Sequence, residues 1–260
     1  MDLKNLLVET ADGIAVVTIN RPQSLNALNS EVVTELESAL RELEADASVK
    51  VVVITGAGEK AFVAGGDIKE MWNLEPADGR CFAQRGHRLI QFLAAMKKPV
   101  IAAVNGYALG GGLELALACD FIYASEKARL GLPEVTLGIM PGFGGTQNLP
   151  RLIGPNRAKE LIFSGKQLTA AQARDWGIVN EVTPPEELMT RVMEIAKKIA
   201  ANGTLAVAAA KDAVVNGLNM TKEDSLRYEG AVFGLLFATE DQKEGMRAFV
   251  EKRPAEFKGK

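Results

Sequence analysis

Two hydrophobic periods divide this chain, and the change falls near Pro184-Pro185. Before it, short apolar runs alternate with glycine-bearing turns and with helical stretches. Leu6–Glu9 and Ile14–Ile19 bracket Asp12-Gly13 and predict a β-hairpin. Asn20-Arg21-Pro22 ends its second strand, and Ser24–Asn29 is a loop. Val32, Val33, Leu36, Leu40 and Leu43 recur at helical spacing, with Asn29 or Ser30 placed to cap that helix. Val51–Ile54 and Val100–Val104 are apolar at every position, as strands buried on both faces are. Asn73–Arg80, polar and bearing Pro and Gly, predicts a mobile loop. Cys81–Met96 follows as a helix with Leu89, Phe92 and Leu93 inward. Further on, Asp120–Ala124 and Ile178–Val182 predict strands, and Leu113–Ala118 and Leu168–Trp176 predict helices. This alternation argues for an α/β fold of repeated strand–turn–helix units.

After residue 185 only helical patterns remain, over Glu186–Ala200, Leu205–Val215, Lys222–Phe237 and Asp241–Val250. Gly230–Ala238 is apolar nearly all round. Such a helix has to be covered, by the core or by another subunit.

Composition narrows the class. The 260 residues suit one large domain, or a domain with a smaller appendage, and 47% apolar content is enough for a substantial core. A net charge of −3 with interspersed signs leaves no basic patch for nucleic acid. No apolar run reaches the roughly 20 residues that span a bilayer. The start, Met-Asp-Leu-Lys-Asn, carries no targeting pattern. Cys81 and Cys119 form no disulfide framework, and Cys119 lies in an apolar run that reads as core. The expectation is a soluble, cytoplasmic protein.

The chemistry is defined first by what is missing. The single histidine, His87, lies within a helical pattern, where a structural role is the simpler one, and no histidine pair exists to hold zinc. There is no Gly-x-Ser-x-Gly turn, phosphate loop or dinucleotide fingerprint. What remains is backbone donors and carboxylates. Val100–Val104 runs into Gly110-Gly111-Gly112 and then a helix, so unpaired amides face outward at that helix start. Gly65-Gly66 repeats the arrangement, with Asp67 as helix cap. Glu114, three residues beyond Gly111, should hang its carboxylate near the Gly111 amide. A solvated acid offsetting the helix dipole is the bland alternative, but Leu113, Leu115, Ala116 and Leu117 make its surroundings apolar. Glu134, in Leu132-Pro-Glu-Val, is a second acid in an apolar setting, with a surface loop acid as its bland alternative. Together these residues predict proton transfer beside a stabilised carbonyl oxygen. The helix dipole favours the charged form of Glu114, which suits a base. Desolvation favours the neutral form of Glu134, which suits an acid.

These segments resemble the enoyl-CoA hydratase/isomerase (crotonase) superfamily, nearly end to end. The markers are Asn20-Arg-Pro with Asn26-Ala-Leu, Ala61-Phe-Val-Ala-Gly-Gly-Asp-Ile-Lys-Glu and Lys98–Glu114. Leu132-Pro-Glu, Pro141-Gly-Phe-Gly-Gly-Thr-Gln and Phe249-Val-Glu-Lys-Arg-Pro continue the match. The resemblance implies a spiral of ββα units over 1–195 and a helical C-terminal region over 196–260 that builds trimers or hexamers. It implies an acyl-CoA substrate, no metal, no cofactor beyond CoA itself, and no membrane or nucleic-acid partner. Gly66 and Gly111 match the two oxyanion donors, and Glu114 and Glu134 the two catalytic acids of hydratases. Ala64, Gly66, Asp67, Ile68 and Lys69 match the stretch that contacts CoA; Lys69, and Lys252 of a neighbouring subunit, are candidates for its phosphates. Having both acids favours hydration of a trans-2-enoyl-CoA, as in fatty-acid β-oxidation. Δ3-Δ2 isomerisation is the alternative reaction, and RNA binding or an assembly role the non-enzymatic one.

Overall fold

The computed structural model describes residues 3–260; Met1 and Asp2, where the segment read as free of a targeting pattern begins, lie outside them. The hairpin forms as strands β1 (Leu6–Ala11) and β2 (Ile14–Ile19). Helix α1 (Ser30–Ala45) follows, capped by the Asn29 side chain, which accepts from the Val32 amide, and it buries the five apolar residues read from its spacing. The next three units share one plan. A long strand is followed by a short one, and one or more helices follow. They are β3 (Val51–Gly56), β4 (Ala61–Val63), α2 (Ile68–Met71) and α3 (Pro76–Ala95), then β5 (Val100–Val104), β6 (Tyr107–Leu109) and α4 (Gly111–Ala118). The third is β7 (Phe121–Ser125), β8 (Arg129–Gly131), α5 (Gly145–Ile153) and α6 (Pro155–Ser164). Strand β9 (Gln167–Thr169), α7 (Ala170–Asp175), β10 (Glu181–Thr183) and α8 (Leu188–Ala200) complete the core. Helices α9 (Thr204–Gly217), α10 (Lys222–Leu236) and α11 (Glu240–Glu251) close the chain.

The long strands form one sheet in the order β1-β2-β3-β5-β7-β10, and the short ones a second, β4-β6-β8-β9. β3, β5 and β7 run parallel, as do β4, β6 and β8. Each ββα unit therefore advances one strand in both sheets, and the units stack as a spiral. Alternate residues of the long strands enter different cores. Val52 and Ile54 face the spiral interior, whereas Val51 and Val53 pack with Ile101, Ala103 and the α8 residues Leu188, Val192, Ala196 and Ala200. Burial on both faces explains the unbroken apolar runs. All four buried residues of α8 lie against the sheet.

Several local expectations shift. Most of the loop expected over 73–80 is helix, because Pro76 starts α3 with a φ already suited to the first turn. The helix expected from Leu168 starts at Ala170; Thr169 and Gln172 form a capping box there, and Gln167–Thr169 pairs with β8 instead. Of 178–182, only Glu181 and Val182 join the sheet, alongside Thr183, while Ile178 and Val179 are buried in the preceding turn. Strands β6 and β8 and helices α5 and α6 have no counterpart in the sequence reading. No helix among the described residues is long and apolar enough to cross a membrane.

The C-terminal helices hang from the core by few ties. The Lys211 side chain, 8% exposed, pairs with Asp120 at 2.9 Å and donates to the Leu93 and Lys98 carbonyls. Asp120 also accepts from the Val100 amide at 2.6 Å, so one carboxylate links α9 to the start of β5. Removing Lys211 leaves the partly solvated Asp120 without its cation and takes a donor from the Leu93 and Lys98 carbonyls. Lys211→Met should lower unfolding free energy by about 1.5 kcal/mol, the low end for hydrogen bonds to a charged group. Urea denaturation checks this, and a loss below about 0.5 kcal/mol would mean that the pair is solvated like an ordinary surface bridge.

Candidate active site

Two glycine turns converge where the ends of the short strands meet. Gly66 forms an isolated parallel bridge with Leu28: the Leu28 amide donates to Gly65 O at 2.9 Å, and the Asp67 amide donates to Leu28 O at 2.8 Å. In a parallel bridge the middle residue points its own N–H the other way. Gly111 opens α4, so its N–H has no helical acceptor. These amides become neighbours because α4 packs tightly on β4. A Cβ at Gly112 would lie 2.0 Å from the Val63 carbonyl oxygen, so only glycine admits this approach. As a result, a Cβ at Gly111 would stand 3.8 Å from the Gly66 nitrogen.

Glu114 is 1% exposed. Its Oε1 accepts from the Phe143 amide at 2.8 Å and the Gly145 amide at 2.7 Å, at the start of α5, two partners not expected from sequence. Burial pushes its pKa up, from the ordinary 4.5 to about 7, and the charge of Glu134 adds to the rise. The amides of Gly145, Phe143 and Gly142 oppose it. Desolvation therefore outweighs the dipole argument made from sequence. Even so, a group titrating near neutrality is well matched to general base work.

Glu134 starts a 3-10 turn over Glu134–Leu137. Both its carboxylate oxygens are buried without a hydrogen-bond partner among the described residues, and burial raises its pKa too. An unpartnered buried acid is favoured in its neutral, proton-carrying form.

Gly66, Gly111, Glu114 and Glu134 line one cavity of about 480 Å³, walled by Met71, Leu74, Phe82, Ala83, Met140 and Phe143. Apolar walls around a few convergent polar groups are the usual make-up of a small-molecule site. The other sequence candidates, Ala64, Asp67, Ile68 and Lys69, are not among the residues that line it. The Asp67 side chain is committed to structure, capping α2 at the Lys69 amide and pairing with Arg21 at 3.1 Å. The Ala64 amide donates to Leu25 O, while Ile68 and Lys69 are exposed. Lys252 ends α11 and does not line the cavity of its own chain. Phe143 and Gly145, which hold Glu114, had no role assigned from sequence. Their signal was the glycine-rich Pro141–Gly145 stretch ahead of a helix.

A ββα spiral whose cavity joins two free amides to two buried acids defines a class of enzyme that works on carbonyl compounds through a stabilised oxyanion. The chain belongs to the enoyl-CoA hydratase/isomerase family, whose model matches residues 9–260. It is 49% identical over 256 residues to the short-chain-enoyl-CoA hydratase of Clostridium acetobutylicum, covering 98% of each chain. It is 48% identical over 257 residues to the crotonyl-CoA hydratase of Syntrophomonas wolfei, covering 99% of each. The crystal structure of an enoyl-CoA hydratase from Bacillus anthracis superposes with a TM-score of 0.96 at 43% identity, covering 99% of this chain and 100% of that one.

The raised pKa of Glu114 has a consequence for stability. An unfolded glutamate ionises near 4.5, whereas the folded one holds its proton to about 7. The stability this group contributes is full below pH 4.5, falls as pH rises between the two values, and is lost above about 7. Glu114→Gln keeps an acceptor for the two amides and cannot ionise. At pH 8 it should be more stable than the natural protein, by up to about 3 kcal/mol, and at pH 4 the two should match. Denaturation at both pH values tests this; a variant no more stable at pH 8 would show that Glu114 ionises without penalty.

Proposed function

We propose that the protein adds water reversibly across the 2,3 double bond of trans-2-enoyl-CoA thioesters, giving 3-hydroxyacyl-CoA. The observation that carries this reading is the pairing of Glu114 and Glu134 in one cavity with the Gly66 and Gly111 amides. The relatives' names support it. The thioester oxygen sits between the two N–H groups, which stabilise the enolate as charge builds on it. Glu114, oriented by the Phe143 and Gly145 amides, takes a proton from the water whose oxygen attacks C3. Glu134 delivers its proton to C2. Hydroxyl and hydrogen are thus added across the double bond. Glu114 ends protonated and Glu134 ionised, and proton exchange with solvent resets the pair. No step calls for a metal or a redox group. Ala64, Asp67, Ile68 and Lys69 form the entry where CoA would lie.

The working unit in this reading is a cytoplasmic trimer or hexamer. Helix α10 has no buried residue in the single chain; Phe233 is 62% exposed and Leu235 71%. Leu218, Phe249 and Val250 are exposed as well. Of the two ways to cover Gly230–Ala238, the chain's own core is not the one used, which leaves another subunit. Assembly would also bring the neighbour's Lys252 to the CoA phosphates. Light scattering at micromolar concentration should give three or six times the 27.8 kDa chain mass; a monomer would contradict it.

Loss of enoyl absorbance with crotonyl-CoA tests the reaction. Glu114→Gln and Glu134→Gln should each lose about 10²–10⁴ in turnover, the usual range for a lost acid or base, while still binding CoA ligands. Exchange of the α-proton of a saturated acyl-CoA needs no attacking water. It should fall far more in Glu134→Gln. Equal loss in both variants would overturn the role assignment, and full hydration by either would overturn the mechanism.

A further inference from the structure

The cavity has a floor, and its construction bears on which acyl chains fit. Phe143 is 4% exposed and Phe82 9%, and their rings pack 5.2 Å apart. The ring of Phe143 lies directly on the backbone of α3. A Cβ at Gly86 would fall 2.2 Å from its Cδ1, so the ring occupies space that any other residue at 86 would fill. On its other side, the Phe143 ring is 3.8 Å from a Cβ built on Gly111. It is therefore wedged between α3 and the backbone that carries an oxyanion donor. Higher on the same helix the wall is open, since a Cβ at Gly79 meets nothing within 4 Å. Leu74, Ile139 and Met140 around the rim are exposed.

A thioester carbonyl held at Gly66 and Gly111 must present C2 and C3 to the two glutamates. Glu114 is bonded to the Phe143 amide, so the acyl chain meets the Phe143 ring soon after C3. We infer that Phe143, seated on Gly86 and backed by Phe82, is the residue that limits acyl length and makes this site one for short-chain acyl-CoA. This rests on the reading of the cavity as an enoyl-CoA site. Phe143 then has two separate duties. Its backbone N–H orients the base, and its side chain closes the pocket. Truncating the side chain leaves the first intact in principle and removes the second.

The test measures binding of butyryl-CoA and octanoyl-CoA by calorimetry, and kcat/KM for crotonyl-CoA and trans-2-octenoyl-CoA. It uses the full chain and its Phe143→Ala, Phe143→Leu and Phe82→Ala variants, with unfolding midpoints recorded. One methylene too many in a closed apolar pocket is worth about tenfold or more. The natural protein should favour the four-carbon ligand by at least about tenfold in both measures. Phe143→Ala should cut that preference by at least about tenfold, with Phe143→Leu and Phe82→Ala shifting it less in the same direction. If Phe143→Ala does not fold, the two milder variants decide. Equal binding of butyryl-CoA and octanoyl-CoA by the natural protein, with the longer chain leaving past Gly79, would overturn the inference. So would an unchanged preference in the folded variants. Chain-length discrimination in binding that Phe143→Ala abolishes, without hydration by the natural protein, would keep the floor and remove the reaction.

Discussion

Everything in the site depends on keeping one carboxylate, that of Glu114, out of water. Burial alone would neutralise it at physiological pH. Two backbone donors, the amides of Phe143 and Gly145, recover part of the lost hydration, and the balance leaves the group titrating near 7. The same oxygen ties α4 to the start of α5, so two successive ββα units are joined through a single acceptor. Glu134 stands in contrast. Neither of its oxygens has a hydrogen-bond partner among the described residues, and burial raises its pKa. Burial thus raises the pKa of both acids, while backbone amides hold the carboxylate of Glu114 in place.

The convergence of these groups follows from the repeat. Each ββα unit places a long strand, a short strand and a helix start in the same relation, so successive units present successive turns along one edge. Gly66 follows β4 and Gly111 follows β6, neighbouring strands of the second sheet. Packing α4 against Val63 through Gly112 brings the two turns within reach of one oxygen atom. The site is built on ends of paired strands and a helix, which places its donors more firmly than loops alone would.

The C-terminal helices obey a different logic. They are pinned to the core through Lys211 and Asp120, and α9 and α10 pack on each other and present large apolar side chains outward.

Local chemistry was enough to define much of this from residue order. Apolar periodicity located α1 and the four C-terminal helices, each long enough for its period to repeat, and unbroken apolar runs located the central long strands β3 and β5. Glycine pairs ahead of helix starts marked the turns of Gly66 and Gly111, and acids in apolar runs marked Glu114 and Glu134, all four of which line one cavity. Three-residue strands such as β6 and β8 were invisible, since a period cannot be recognised in so few positions. The start of α3 was mistaken for a loop because Pro76 and Gly79 carry loop signals that a first helical turn also tolerates. Only the tertiary structure could assign the partners of Glu114. They lie 29 and 31 residues away, on a turn brought close by the spiral. The same holds for its elevated pKa and for the Phe143 ring resting on Gly86. Burial and contact between distant residues are properties of packing, and no spacing along one segment encodes them.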